Sequence, residues 1–259
     1  MDFQLHQRVV SWLKMAGDSL IASLTQDLQV EEKTDPSDLV TRMDKETEAF
    51  LIKQIQTYYP DHQILGEEGT GHTINDAKGI LWVIDPIDGT LNFVKQGRYF
   101  GIMVGIFKDG QPLAGYIYDV MNADLYYGIK GQGAFINDRP IKPRPCSSLD
   151  QVLIVTNAKV LVDDVYASRQ LMAQSLGVRS YGCSAYEMIA VIRGEAGLYL
   201  SAGLMPWDAA AGIAILDAMG YAYGRPDGQK FNILEACPLL VGSPAVYQEA
   251  QAIIAQSKN

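Results

Sequence analysis

Apolar side chains recur every three or four residues near the start of the chain (Phe3, Val9, Val10, Leu13, Leu20, Ile21, Leu24), which predicts an amphipathic helix over 3–28. A second helix is predicted from Thr41 to Tyr59, with Phe50, Leu51, Ile55 and Tyr58 on one face and Pro60 closing it. The polar stretch 31–38 between them reads as a loop or a ragged strand. Ile64 and Leu65 then lead into Gly66-Glu67-Glu68-Gly69, and Leu81-Trp82-Val83-Ile84 predicts a buried strand that stops at Asp85-Pro86. From 100 to 142 short strands are divided by the turn signals Asp109-Gly110, Gly131-Gln132-Gly133 and Asn137-Asp138, the pattern of an antiparallel meander.

Beyond the loop Arg144-Pro145-Cys146-Ser147-Ser148 the pattern alternates. Strands are expected at 152–155, 178–181, 197–200 and 238–241, and helices at 163–175, 185–194, 207–219 and 245–257. Such alternation predicts an α/β fold with helices and sheets in layers. A length of 259 residues suits one unit with two lobes, 1–149 and 150–259, dividing near Leu149.

Hydrophobic residues at 48% and charged residues at 20% fit a soluble globular protein. The net charge of −9, with 30 acids against 21 bases, argues against a nucleic-acid polymer or an anionic membrane as partner. The acids either serve solubility or converge on cations, and the charge count alone leaves both open. Met1-Asp2-Phe3-Gln4-Leu5-His6 lacks the basic-then-apolar order of a secretory signal, and no apolar run approaches the ~20 residues of a membrane span. Cys146, Cys183 and Cys237 form no CxxC pair, and His6, His62 and His72 share no metal-ligand spacing, so neither a disulfide framework nor a zinc site is suggested. A reducing cytoplasm is the compartment this implies.

The most informative stretch is Asp85-Pro86-Ile87-Asp88-Gly89-Thr90, whose acids end a buried strand. An uncompensated carboxylate there costs several kcal/mol, so the pair needs hydrogen-bond donors or cations. Pro86 removes one donor, and Gly89 lets the backbone approach a ligand. Thr90-Leu91-Asn92-Phe93 can begin a short helix whose free N–H groups face an anion held by the same turn. An Asx-turn with Asp88-Gly89 at its corner accounts for the spacing equally well. Gly66-Glu67-Glu68-Gly69 also reads as an exposed turn, and Asp208 in Pro206-Trp207-Asp208-Ala209-Ala210-Ala211-Gly212 as a helix cap favoured by the macrodipole. Asp38-Leu39-Val40-Thr41-Arg42-Met43-Asp44, entering the second helix, has the same capping explanation.

Taken together and in order, Lys33, Asp38-Leu39-Val40-Thr41 with Asp44, Gly66-Glu67-Glu68, the run Asp85 to Phe93 and Trp207-Asp208-Ala209-Ala210-Ala211-Gly212 resemble the inositol monophosphatase family. This family lies in the lithium-sensitive, magnesium-dependent phosphatase superfamily. The resemblance implies a layered sandwich of alternating helix and sheet layers like that of fructose-1,6-bisphosphatases, a homodimer, two to three Mg2+ ions, and hydrolysis of a small phosphate monoester. By position, Glu67, Asp85 and the Ile87 carbonyl would hold one ion, and Asp85, Asp88 and Asp208 a second. The backbone of Gly89 and Thr90 would receive phosphate, Thr90 hydrogen-bonded to Asp44 would activate water, and Glu67 would help hold a third ion. The first lobe would thus carry most of the metal and phosphate site, and the second would add Asp208 and the substrate contacts. Magnesium suits such all-oxygen ligands, and paired ions supply both an activated water and charge for the leaving oxygen.

The alcohol-recognition positions depart from the family pattern. Inositol-preferring members carry an acid seven residues before the tryptophan-linked aspartate, where this chain has Ser201. The Gly-Ser/Thr-Ala substrate segment reads Gly182-Cys183-Ser184, leaving Ser184 and Ser201 as substrate-side residues and weakening the expected preference for inositol 1-phosphate. The alternatives are a nucleotide phosphatase acting on 3′-phosphoadenosine 5′-phosphate or NADP, a fructose-1,6-bisphosphatase, and a catalytically silent regulatory homologue. A silent homologue would be expected to have lost a ligand, and none of Glu67, Asp85, Asp88, Thr90 or Asp208 is lost.

Overall fold

The computed structural model describes residues 3–34, 36, 38–69, 74, 76–144 and 146–257. Met1, Asp2, His72 and Pro145, named above, and Asp35 and Ser37 of the polar stretch 31–38 lie outside them. Helix α1 (Phe3–Ser23) buries Leu5, Val9, Trp12, Leu13, Ala16 and Leu20. It ends five residues earlier than its periodicity predicts, because the chain turns at Ser23 while Leu24 and Leu28 still reach the core from the turn. The polar stretch after it is part of a two-stranded ribbon, β1 (Glu31–Glu32) against β2 (Leu39–Val40). Helix α2 (Arg42–Tyr58) starts with a capping box: the Thr41 hydroxyl accepts from Met43 N at 3.0 Å, and the Asp44 carboxylate accepts from Thr41 N at 2.7 Å.

Strands β3 (Gln63–Gly66) and β4 (Ile80–Asp88) are followed by helix α3 (Thr90–Gln96) and the meander β5 (Gly101–Lys108), β6 (Gln111–Asp119), β7 (Asp124–Ile129), β8 (Gly133–Ile136) and β9 (Arg139–Ile141). They form one seven-stranded sheet in sequence order, antiparallel except for β3 beside β4. The strand expected to stop at Asp85-Pro86 runs on to Asp88. Asp85 pairs with Met103 and Asp88 with Gly101, so β4 carries one extra residue, a bulge in which the missing N–H of Pro86 costs no ladder bond.

The second half contains β10 (Leu153–Val155), α4 (Ala158–Val162), α5 (Ser168–Ala173), β11 (Gly177–Arg179), α6 (Ser184–Ile192), β12 (Leu198–Leu204), α7 (Pro206–Ala218), β13 (Ala222–Gly224), β14 (Cys237–Gly242) and α8 (Pro244–Gln256). Its sheet has the order β11-β10-β12-β14-β13, with β10 parallel to both neighbours and β14 antiparallel to its own. Of the helix expected over 163–175 only Ser168–Ala173 is α-helical, as α5, and α4 precedes that span. Asn157 caps α4 by accepting from Val160 N, and left-handed Asp164, Tyr166 and Ala167 separate it from α5. The short strand β13 carried no pattern long enough to predict.

Helices α1 and α2 pack on one face of the large sheet, with Leu13, Leu51 and Ile55 against Trp82, Val104 and Tyr116. Helices α6 and α7 lie between the sheets, joining Met103, Ile117 and Tyr126 of one to Val155, Tyr199 and Val241 of the other. Helix α8 covers the far side of the second sheet. The layers therefore alternate helix, sheet, helix, sheet, helix. No helix among the described residues is long and apolar enough to cross a membrane.

Three glycines set the position of α7. Gly105, Gly115 and Gly128 pair with one another across β5, β6 and β7, opening a channel without side chains over the sheet. Helix α7 lies along it so closely that a Cβ on Gly105 would meet Ala210 Cβ at 2.6 Å, and one on Gly128 would meet Ile215 Cα at 2.6 Å. The helix is apolar all round because a sheet covers either face.

Candidate active site

The bulge at the end of β4 delivers Asp85 and Asp88 to one point, and the first turn of α7 brings Asp208 to them. One oxygen from each of these three carboxylates lies within 4.8 Å of the others. Asp85 and Asp88 are buried. Neighbouring N–H groups meet part of their charge: Ile87 N donates to Asp85 at 3.1 Å, Ala185 N to Asp88 at 2.5 Å, and Met205 N to Asp208 at 2.9 Å. Among the described residues no lysine, arginine or histidine is ion-paired with any of the three. The nearest ammonium, Lys33 from the β1–β2 ribbon, is held by Glu67 at 2.8 Å and Glu68 at 2.5 Å.

The electrostatics follow from that crowding. Burial, with Glu67, Asp88 and Asp208 as close neighbours, holds the Asp85 carboxyl well above the usual carboxylate range. Burial pushes Asp88 up to about 6 against the Ala185 N–H. Burial and Asp88 push Asp208 up to about 7, and burial pushes Glu67 up to about 7 despite the Lys33 ammonium. Burial works against charge on Lys33, but its hydrogen bonds to Glu67 and Glu68 outweigh it and raise its pKa. Asp85, Asp88 and Asp208, crowded together as hard oxygen donors with no cationic side chain paired to them, fit a site for divalent magnesium-like ions.

Gly89 follows the acids at φ 93°, where a Cβ would come within 2.9 Å of Cys183 Cβ and 3.1 Å of the Tyr99 carbonyl. Only glycine suits that backbone and that contact. Thr90 begins α3, and its buried hydroxyl lies 3.0 Å from Asp44 Oδ1 and 3.1 Å from the Ile87 carbonyl. Asp44 is fully buried and accepts at Oδ2 from the Thr41 N–H and hydroxyl at 2.7 and 2.6 Å. The cap of α2 is thereby wired to the first residue of α3.

A cavity of about 240 Å3 adjoins Asp88 and Asp208, walled by Ser184, Glu187, Tyr199 and Ser201 among others. Ser184 is at the first position of α6, and its hydroxyl donates to the Asp208 carbonyl. The Ser201 hydroxyl turns to the Gly203 carbonyl at 3.3 Å. Glu187, absent from the sequence reading, is buried in the first turn of α6, with Oε1 accepting from Tyr181 N at 2.8 Å. Its only sequence signal was an acid inside an otherwise apolar helix. Lys33 belongs to the motif, but its reach to Glu67 depends on the ribbon, which the sequence pattern leaves undefined.

Residues 4–259 match the model of the inositol monophosphatase family. The chain belongs to that family. Over 241 residues it is 39% identical to the inositol-1-monophosphatase of Bacillus subtilis, covering 92% of this chain and 91% of the relative. Its fold superposes on inositol monophosphatase-II from Staphylococcus aureus with a TM-score of 0.89 at 36% identity, over 98% of this chain and 94% of that one. An IMPase/NADP phosphatase complexed with Mg2+ and phosphate gives 0.88 at 30% identity, over 96% and 94%. As a member of the inositol monophosphatase family the protein is a phosphoric monoester hydrolase with the family's layered α/β fold.

Proposed function

We propose that the protein hydrolyses small polyol or sugar phosphate monoesters with magnesium, at the centre formed by Asp85, Asp88, Asp208 and Glu67. The observation that carries this reading is the carboxylate trio, one oxygen from each lying within 4.8 Å of the others, with no cationic side chain paired to them among the described residues. The Mg2+ and phosphate held by the structural neighbour support the choice of ion and of group. Asp85, Glu67 and the Ile87 carbonyl would hold one ion, and Asp85, Asp88 and Asp208 a second. Magnesium bound there supplies positive charge to the phosphoryl oxygens and makes a coordinated water more acidic.

The chain's own groups do the rest. Backbone N–H groups of Gly89 and Thr90 orient the phosphoryl group. Thr90 Oγ1 accepts the proton of the attacking water as its own hydroxyl proton moves toward Asp44 Oδ1. The water oxygen forms the new P–O bond, the ester P–O bond breaks, the released alkoxide takes a proton from solvent water to leave as the alcohol, and Asp44 returns its proton to solvent. Ser184 and Ser201 face that alcohol. Family membership supports a homodimer, and the free thiols of Cys146, Cys183 and Cys237 suit a reducing cytoplasm. Phosphate release from a panel of sugar, polyol, nucleotide and aryl phosphates, with and without magnesium, tests the reading. No magnesium-dependent release from any of them would overturn it.

A further inference from the structure

Three buried side-chain polar atoms, Arg42 Nε, Thr156 Oγ1 and Glu187 Oε2, have no hydrogen-bond partner among the described residues. Glu187 alone of these residues walls the cavity beside Asp88 and Asp208. The residue is 3% exposed. Its other oxygen accepts from Tyr181 N at 2.8 Å, and the Gly182 N–H also faces the carboxylate while leaving Oε2 without a hydrogen bond. A buried acceptor left open is costly to keep, and such groups are found where a ligand completes them. The cavity has room for that ligand: about 240 Å3 is several times the roughly 30 Å3 that one water occupies in the liquid.

The geometry points to Glu187 as the specificity-determining acceptor for a hydroxyl of the substrate's alcohol half. This rests on the phosphatase reading of the adjoining carboxylates and extends it. The phosphate sits at the metal side of the cavity, where Asp88 and Asp208 lie, and the alcohol it esterifies extends toward Glu187. Ser201 is a poor partner for it, being short and already donating its one proton to the Gly203 carbonyl. The carboxylate missing from the strand before α7 is thus supplied from α6. A leaving group with a hydroxyl in reach satisfies Oε2, whereas an aryl or bare alicyclic group leaves it unpaired, and that asymmetry is what gives a site selectivity.

Glu187→Gln separates this role from bracing, because the amide oxygen still accepts from Tyr181 while –NH2 replaces the open acceptor. The readout is the ratio of kcat/KM for inositol 1-phosphate to that for phenyl phosphate, measured with saturating magnesium at about pH 8, where the Glu187 carboxyl, held up to about 7 by burial, is ionised. The ratio should fall about ten- to a hundredfold, chiefly through KM of the polyol phosphate, and Glu187→Asp should restore little because its carboxylate is withdrawn. Equal losses on both phosphates, or an unchanged ratio, would overturn the proposal and leave Glu187 a brace. Should Glu187→Gln not fold, wild type is assayed with cyclohexyl phosphate, the ring without hydroxyls, and equal turnover of the two ring phosphates would overturn it too. Phenyl phosphate hydrolysed without polyol preference defeats this inference alone. No hydrolysis of any of these phosphates defeats the phosphatase reading and the inference with it.

Discussion

Thr90 has one hydroxyl proton and two acceptors facing it, Asp44 Oδ1 at 3.0 Å and the Ile87 carbonyl at 3.1 Å. Thr90→Ala removes the proposed relay without touching a carboxylate proposed to hold metal, so the rate should drop about 10²–10⁴-fold, as for other positioned proton-transfer groups, while magnesium affinity holds. Asp44→Asn acts on the same unit, and the double variant should be far less damaged than the product of the single losses. Multiplicative losses in steady-state kinetics would show that the two act separately. Glu187 gives a second residue-scale prediction, on stability. Burial raises its carboxyl from 4.5 to about 7 against the Tyr181 and Gly182 N–H groups. A carboxyl raised in this way costs the fold nothing below pH 4.5; the cost grows as pH climbs to about 7 and is constant above. Glu187→Gln should therefore match wild type near pH 4.5 and exceed it at pH 8 by up to about 3 kcal/mol, at 1.36 kcal/mol per unit. Urea denaturation at the two pH values checks this, and a gap that shrinks as pH rises would refute it.

Elements decide whether those residues meet. Helix α7 carries Asp208, and its height over the sheet is set by the glycine channel of β5, β6 and β7. Gly115→Ala would push a methyl into the Ala211 carbonyl, so it should cost roughly 1–3 kcal/mol, the usual range for overpacking. It should also weaken magnesium binding, because moving α7 moves Asp208. Urea midpoints and a magnesium titration followed by thermal shift measure both, and an unaltered midpoint would mean the channel is looser than its contacts indicate. The start of α7 was legible in the sequence, since proline, tryptophan and aspartate precede an unbroken apolar run. The glycine channel was not: Gly105, Gly115 and Gly128 sit in three strands, and only the register of the sheet aligns them. Local pattern likewise ended β4 at Pro86, because a bulge is fixed by the partner strand rather than by the strand's own residues. The motif residues Asp85, Asp88 and Asp208 could be read because their order along the chain is distinctive. Glu187 could not, because whether an acid in an apolar helix is paired, braced or open depends on what folds over it.

At the scale of the whole molecule, three segments distant in sequence must spend stability to bring four acids together. Glu67 follows β3, Asp85 and Asp88 end β4, and Asp208 opens α7, so the centre closes only when both sheets and the helices between them are in place. The folded protein without metal therefore carries mutual repulsion that the unfolded chain escapes, and a cation that binds only the folded form recovers it. Magnesium at about a hundred times its dissociation constant should add about 2.7 kcal/mol, which for a chain of this size raises Tm by roughly 5–10 °C. Asp85→Asn keeps an oxygen for the Ile87 N–H, found at 3.1 Å from Oδ1, and removes the charge that Glu67, Asp88 and Asp208 all oppose. Metal-free Asp85→Asn should then melt no lower than metal-free wild type and gain little from magnesium, and its turnover should be nearly abolished. Scanning calorimetry of both proteins in chelator and in magnesium reads the stability terms, and phosphate release reads the activity. Metal-free Asp85→Asn melting well below wild type would show that Asp85 supports the fold rather than strains it. Turnover within tenfold of wild type would remove Asp85 from the centre of the site.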